Sequence, residues 1–542
     1  MTRPAPWKLS EISTLWLDVE TGVGVDDAGT PVRPILGGRR KKPALLDLLN
    51  TAAHHGATRV MLSGKFPTVS AAKTHWLLVA TEGWAAAGHY VKDDRPPTGR
   101  FVRRLDGHRL EVRVAREWFG TDAIAPSTVR EAMSLLALVL SKALPGHLAA
   151  SPTATGQNIW AYALPKDFDP PQLDPDLADL IHRTSGQHRT EHLVEGRSRC
   201  NCGDCLPLIP ARTEIPGFAY VDGRFMYSAL CREIGVGGHR LTQAQAQAWA
   251  MDDFARARYR IRFTVPDGWD TLGLAPVWRE DTLQWHYPNR AGATYETWVD
   301  AWEMSLMRAW WGHGSIEILE GIAFEKRGRP LDNFAARILA ARETAAALDA
   351  DAHLIEAVES ALRAILLQTI GGFHSLGRDR TMVVESAFDV PPEHQGSIRT
   401  YGDVVTYLVP AALNIRLQQF HHPEYSAQVW ARERARILQG PTATYCDDRG
   451  HEWRQWGALE VDPAQLIGVN GDALYLAAIP QACRPVDQGG GDDGRVGRLR
   501  IKGWIGEPMP VPPTTDARNN LRVRAEAIGV PAAVTTGPAR HA

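Results

Sequence analysis

Ile467–Ala477 reads IGVNGDALYLA, two short apolar runs on either side of Asn470, Gly471 and Asp472. Alternation of this kind around a two-residue turn predicts a β-hairpin, and Asn-Gly suits the turn because both residues tolerate positive φ. Asn470 and Gly471 therefore need no further explanation. Asp472 at the apex does. It is either one more polar turn residue or a carboxylate held out for chemistry, and the choice depends on which other acidic groups the chain can bring to it.

The chain has 542 residues, enough for two to four packed units. Hydrophobic residues at 44% and charged residues at 23% are those of an ordinary globular protein. Sixty Lys and Arg against 62 Asp and Glu create no global demand for a polyanionic partner. The basic stretches GGRRKK (Gly37–Lys42) and EKRGRP (Glu325–Pro330) are either local phosphate contacts or solvated surface. The opening MTRPAPWKLSEIS lacks the apolar core of a signal peptide, and no run is long and apolar enough to span a bilayer, so a cytoplasmic protein with no membrane partner is expected. Six cysteines are too few for a disulfide scaffold.

The first segment has the pattern of an α/β unit: strand STLWLDVETG, helix PALLDLLNTAAHHG, buried strand TRVMLSG. Two alternating runs, GRFVRRLDGH and RLEVRVAREWFG, predict a hairpin around Asp106-Gly107, and STVREAMSLLALVLSKALPG predicts a closing helix. The proline-rich LPKDFDPPQLDPD (Leu164–Asp176) has the composition of a linker. Beyond it come helices with isolated strands, and Pro330–Phe373 is almost wholly helical in pattern. From PMPVPPTT onward the Pro, Thr, Ala and Arg content predicts a partly disordered tail.

Three acidic features fall on strands or strand ends. Asp18 and Glu20 in LWLDVETG alternate, so both point to one face and can grip one cation. Asp222 ends the apolar run FAYV in GFAYVDGRFMYSAL, and Asp472 closes the set. Hard carboxylate oxygens suit Mg²⁺ or Mn²⁺, and aspartates from separate strands holding two such ions are a common means of phosphoryl transfer. Each also has a bland reading, as an incidental D-x-E or as a cap or turn aspartate.

In order along the chain, these segments resemble a family-B DNA polymerase, most nearly its protein-primed phage and linear-replicon branch. YVDGRFMYSAL is similar to the family's first palm motif, with Asp222, Phe225, Met226, Tyr227 and Ser228 at its positions. The resemblance makes Tyr227 the residue on which the incoming sugar packs. SGQHRTEHL (Ser185–Leu193) is similar to the segment joining the exonuclease and polymerase parts. The helix, strand pair (SIEILEGIAFE) and long helix between Tyr295 and Glu343 are similar to the approach to the fingers. In ESALRAILLQTIGGFHSLG, Gln368, Thr369 and Gly372 stand at the motif's asparagine, serine and glycine, with Ala364 at its lysine, Arg363 one residue before, and Gly371 at its tyrosine. HPEYSAQVWARERARIL is similar to the palm helix before the last motif. In that motif Asn470, Gly471, Asp472 and Ala473 replace Asp-Thr-Asp-Ser, and Lys502 is the counterpart of the lysine that follows.

The resemblance covers about residues 10 to 510 and implies a mixed α/β and α+β multidomain fold. An RNase H-like, 3′-5′ exonuclease-like domain (1–165) would precede a linker with a cysteine-rich loop (166–210). After it come a first palm part (211–260), fingers and insertion (261–375), second palm part and thumb (376–510), and the tail (511–542). It implies Asp222 and Asp472 as Mg²⁺ or Mn²⁺ ligands with Asn470 as a weaker one, and Tyr227, Arg363, Gln368 and Lys502 as nucleotide or primer contacts. Primer-template DNA, dNTPs and a priming or terminal protein are the implied partners, and replication of a mobile element, plasmid or phage-like replicon the implied role.

Departures keep two other readings open. Asn470 removes one charge from the palm site. Ala364 removes a cation whose loss costs several kcal/mol of transition-state stabilisation, and Arg363 is rotated from it by about 100° on a helix, leaving Arg337 and Arg342 as other cations. The exonuclease set has Asp18 and Glu20 but no matching later motif, with Asp106 and Asp122 as the remaining carboxylates. A polymerase-derived protein that binds nucleic acid or a partner without turnover is one alternative. A 3′-5′ nuclease on Asp18 and Glu20 is the other. RCNCGDC places Cys200, Cys202 and Cys205 at a spacing that suits three positions of a tetrahedral Zn²⁺, with His192 or His188 as the fourth, or else forms a loop of reduced surface thiols.

Overall fold

The computed structural model describes Pro4, Pro6 and residues 12–530 apart from 39, 68–74, 80, 92–95, 187–202, 207–213, 254, 282, 326–328, 402–403, 413–414, 441–444, 447–451 and 454. The chain forms two compact units, Met1–Leu164 with Ala336–His421, and Pro165–Ala335 with His422–Ala542. The first boundary falls in the proline-rich stretch; another falls inside the helix Asp332–Ala346.

The first unit is built on a seven-stranded mixed sheet. Its centre is three parallel strands, β1 (Thr14–Asp18), β2 (Arg59–Ser63) and β3 (Arg109–Val114). Parallel neighbours need a crossover, which the helix Leu45–His54 supplies between β1 and β2. Central parallel strands are covered on both faces, so they read as continuous apolar runs, and Leu15, Leu17, Val60, Leu62 and Val112 are all buried. The hairpin expected around Asp106-Gly107 joins Gly99–Arg103 to β3, and Gly107 has the positive φ (73°) that the turn requires.

The same unit contains the helices Pro152–Ala163 and Ala352–His374, packed through their smallest residues. A Cβ on Gly156 would lie 1.7 Å from Thr369 Oγ1, and one on Gly372 would lie 2.6 Å from Thr153 Cγ2. The QTIGG stretch is therefore a helix–helix seam, with Thr369 fully buried.

The second unit has two four-stranded antiparallel sheets. One orders Val236–Leu241, Ile316–Glu325, Ala257–Thr264 and Thr294–Asp300. SIEILEGIAFE, read as a strand pair, is one continuous strand. Gly321 has no positive φ, and it lies flat against its neighbours because a Cβ there would stand 3.2 Å from the Arg258 carbonyl.

The other sheet carries the acidic segments. It consists of β4 (Phe218–Gly223), β5 (Leu466–Asn470), β6 (Ala473–Leu476) and β7 (Leu499–Ile505) in the order β5-β6-β4-β7. A short helix, α1 (Met226–Leu230), follows β4 directly. Helix α2 (Pro423–Gln439) is polar in sequence, yet nearly all of it is buried. Several of its polar groups are matched: Arg434 pairs with Glu303 at 2.6 Å, Gln428 bonds both the N–H and the carbonyl of Gly235, and Arg432 donates to the carbonyls of Leu230, Arg232 and Glu233. Burial of such groups is tolerable only when each is paired.

The stretch expected to be a partly disordered tail contains an ordered helix. Thr515–Ile528 is a 14-residue helix, α3, capped by Thr514, whose hydroxyl accepts from the Ala517 N–H. It docks on β7 because Gly503 presents no side chain there; a Cβ would stand 2.1 Å from the Ala525 carbonyl oxygen. Composition alone missed this helix because its buried anchors are Arg518, stacked 4.1 Å over Tyr475, and Ala525, and neither is a large apolar residue. Residues 531–542 lie outside the described residues.

Candidate active site

The β5–β6 hairpin turns one residue later than the sequence suggested. Asn470 pairs with Ala473, so the loop residues are Gly471 and Asp472. Gly471 takes the first position with φ 61°, and Asn470 ends the strand instead of turning it. Glycine first with an ordinary residue second fits a type II′ turn.

This turn sets Asp472 beside the end of β4. Asp222 is registered against Ala473 on one side and Arg500 on the other, and the Gly223 N–H donates to the Asp472 carbonyl at 2.9 Å. Two aspartates 250 positions apart (472 − 222) thus occupy neighbouring places at one end of one sheet. Both are buried, at 1% and 9% exposure. The Asp222 carboxylate accepts from Tyr220 OH at 3.2 Å, and Lys502 Nζ lies 3.5 Å from its other oxygen. Lys502 is displaced toward it by a bulge in β7 between Ile501 and Gly503.

Tyr227 is half-buried in the first turn of α1. The residue before that helix, Phe225, is held at φ 48°, a left-handed backbone that a bulky side chain adopts only under constraint. At the other end of α1, Arg432 donates to the carbonyls of Leu230 and Arg232. Glu433, on α2, stands 4.0 Å from where a Gly471 side chain would begin. Sequence reading passed over Tyr220, Glu433 and Arg432 because none falls in a motif. The period-2 pattern of FAYVD, which sets Tyr220 on the face of Asp222, is the signal that could have found it.

Among the described residues no group of three or more His, Cys, Asp or Glu is arranged to hold a metal ion. Asp222 and Asp472 are neighbours by backbone register, and the Asp472 carboxylate lies 3.1 Å from where a Gly223 side chain would begin. Two carboxylates fit Mg²⁺ or Mn²⁺, which keep waters and take their other oxygens from a substrate's phosphates.

Arg363 and Gln368 belong to the first unit. Gln368 donates to the Glu117 carbonyl at 2.8 Å and lies 3.3 Å from the Thr153 hydroxyl. Arg337 donates to the Ala143 carbonyl, and Arg342 pairs with Glu359. Asp18 Oδ1 accepts from the N–H groups of Glu20 and Thr21 and from the Thr21 hydroxyl, which caps the end of β1. Gly64, at φ 88°, packs against Asp18 Oδ2, and its N–H donates to the Asp122 carbonyl at 2.7 Å, so Asp122 stands near Asp18 without any motif. Burial raises the Asp122 carboxyl above its ordinary range. Asp106 turns outward in the hairpin, where hydrogen bonds from Arg103 hold its carboxyl low.

Cys200, Cys202, His188 and His192 lie outside the described residues. Cys205 is described and buried, and burial pushes its thiol up to about 11. Its neighbour Asp204 pairs with Arg290 and accepts from Tyr295 OH. No described helix is long and apolar enough to cross a membrane.

No protein-family model and no curated protein matches the chain. Solved structures do. The chain is similar to phi29 DNA polymerase bound to primer-template DNA in a post-translocation binary complex, with TM-score 0.54, 10% identity, and coverage of 92% of this chain and 85% of that one. It is similar to an orthorhombic crystal form of phi29 DNA polymerase with TM-score 0.53, at the same identity and coverage. The shared property is the fold, a mixed α/β multidomain architecture with several sheets.

Proposed function

We propose that this chain is a template-directed DNA polymerase of the family-B kind, with the sheet β5-β6-β4-β7 as its palm and residues 1–165, which carry the seven-stranded sheet, as its exonuclease-like domain. One observation carries the reading. In a chain whose fold matches a DNA polymerase over 92% of its length, Asp222 and Asp472 come to neighbouring strand ends. In this reading the two carboxylates hold Mg²⁺ or Mn²⁺, with the Asn470 amide oxygen as a neutral auxiliary. The ions would neutralise charge on the transferring phosphoryl group. Tyr227 would pack under the sugar, with Phe225 and Arg432 fixing the start and end of its helix. Lys502 would sit on the primer side of Asp222. Primer-template DNA and dNTPs are the proposed ligands, and a priming protein a proposed partner.

Primer extension on a templated duplex in Mg²⁺ or Mn²⁺ tests this. Asp222→Ala and Asp472→Ala should each lower turnover at least about 10²-fold, the scale of losing a group that stabilises transition-state charge. Extension that survives both substitutions would sink the assignment. A second reading, binding of DNA without turnover, draws on Ala364 and on the engagement of Arg337 and Arg342 within their own unit. It predicts DNA affinity without extension in either metal.

A further inference from the structure

We propose that Glu526, on helix α3 and outside every polymerase-like motif, is a positioning residue for the candidate metal site. The inference rests on the reading of Asp222 and Asp472 as divalent-cation ligands. Lys502 Nζ is shared between two carboxylates, at 2.9 Å from Glu526 Oε1 and 3.5 Å from Asp222 Oδ2. The shorter contact is to the helix. Lys502 also lies over the Tyr220 ring, 5.5 Å from its centroid, and Tyr220 OH donates to the opposite oxygen of Asp222.

Glu526 is itself fixed in place. Arg522, one turn earlier, pairs with it at 3.0 Å and lies over the same Tyr220 ring at 5.7 Å. The helix backbone is seated on the glycine next to Lys502, and the Trp504 N–H donates to the Gly529 carbonyl at 3.0 Å. Helix, lysine and aspartate therefore form a chain of contacts in which Glu526 draws the ammonium away from Asp222. A cation that sits fully on Asp222 competes with a metal ion for the same oxygens. Glu526 lowers that competition and leaves Asp222 with more of its charge for the divalent ion.

Mn²⁺ binding to the full chain, read by electron paramagnetic resonance of the free ion, tests this. Asp222→Asn first identifies the site, because it should abolish the class of bound Mn²⁺ concerned. Glu526→Gln, isosteric and at a partly exposed position, should weaken that class about three- to fivefold, the scale of one partly exposed ion pair. Lys502→Met should tighten it. Glu526→Gln added to Lys502→Met should then change nothing, because the lysine through which Glu526 acts is gone. Equal Mn²⁺ affinity in the wild-type and Glu526→Gln proteins, with the site still removed by Asp222→Asn, overturns the role of Glu526 alone. So does the same weakening in the Lys502→Met background. Absence of any Mn²⁺ class that Asp222→Asn removes overturns the metal-site reading, and the inference with it.

Discussion

Replacing Gly503 with alanine should lift helix α3 from its sheet, and the geometry sets how far. The added Cβ would stand 2.1 Å from the Ala525 carbonyl oxygen and 2.2 Å from its carbon, with the Glu526 nitrogen at 2.7 Å. All three are backbone atoms, so no side-chain rotation relieves the clash. To reach an ordinary 3.4 Å contact the helix must withdraw by about 1.3 Å (3.4 − 2.1). The Lys502–Glu526 contact of 2.9 Å then opens to about 4.2 Å, beyond ion-pair range, and Arg522 moves to about 7 Å from the Tyr220 centroid, beyond cation–π range. Overpacking of this kind costs about 1–3 kcal/mol. Denaturant unfolding followed by tryptophan fluorescence should show that loss, and proteolysis should reach α3 faster in the variant. A Gly503→Ala protein within about 0.5 kcal/mol of wild type, and equally resistant, would refute the close approach of helix and strand.

Other consequences are open to measurement. Burial raises the Asp300 carboxyl to about 7 from 3.8, against the opposing pull of Arg432 and Arg258. Between those values the folded chain keeps a proton that the unfolded chain has lost, so this group's contribution falls as pH rises through the window and is level above it. Asp300→Asn should gain on wild type by about 1.4 kcal/mol per unit between pH 5 and 7 and no further above, and a pH-independent difference in thermal stability would refute this. Glu303→Gln or Arg434→Met alone should cost about 3–5 kcal/mol by stranding a buried partner, while Glu303→Leu with Arg434→Met should recover at least half of that in chemical denaturation. Gly156→Ala forces a carbon to 1.7 Å from Thr369 Oγ1 and should destabilise the first unit by about 1–3 kcal/mol, detected as an earlier transition.

How much of this was legible in the sequence varies with the physics of each element. The parallel core of the first unit was readable because strands buried on both faces must be largely apolar, as VML and LWL are. The Asp106-Gly107 hairpin was readable from turn chemistry. Asp222 and Asp472 could be picked out as strand-end carboxylates, but their adjacency is a matter of register between segments far apart in the chain, which no local pattern encodes. The one-residue shift of the β5–β6 turn had the same source, since pairing of Asn470 with Ala473 took precedence over the local preference of Asn-Gly. Helix α3 escaped because its docking relies on an absent side chain, Gly503, and on arginines stacked over tyrosines. Periodicity of apolar residues cannot report such contacts.

The strand order β5-β6-β4-β7 also dictates when the carboxylate end can exist. The neighbours of β4, which are β6 and β7, begin at Ala473 and Leu499, so FAYV waits with two unpaired edges while about 250 residues (473 − 223) are made. At 5–20 residues per second that interval is roughly 12–50 s. An apolar strand open on both sides for that long is a template for pairing with other chains. Synthesis rate and temperature, more than the stability of the finished fold, should therefore govern how much soluble protein a cell accumulates.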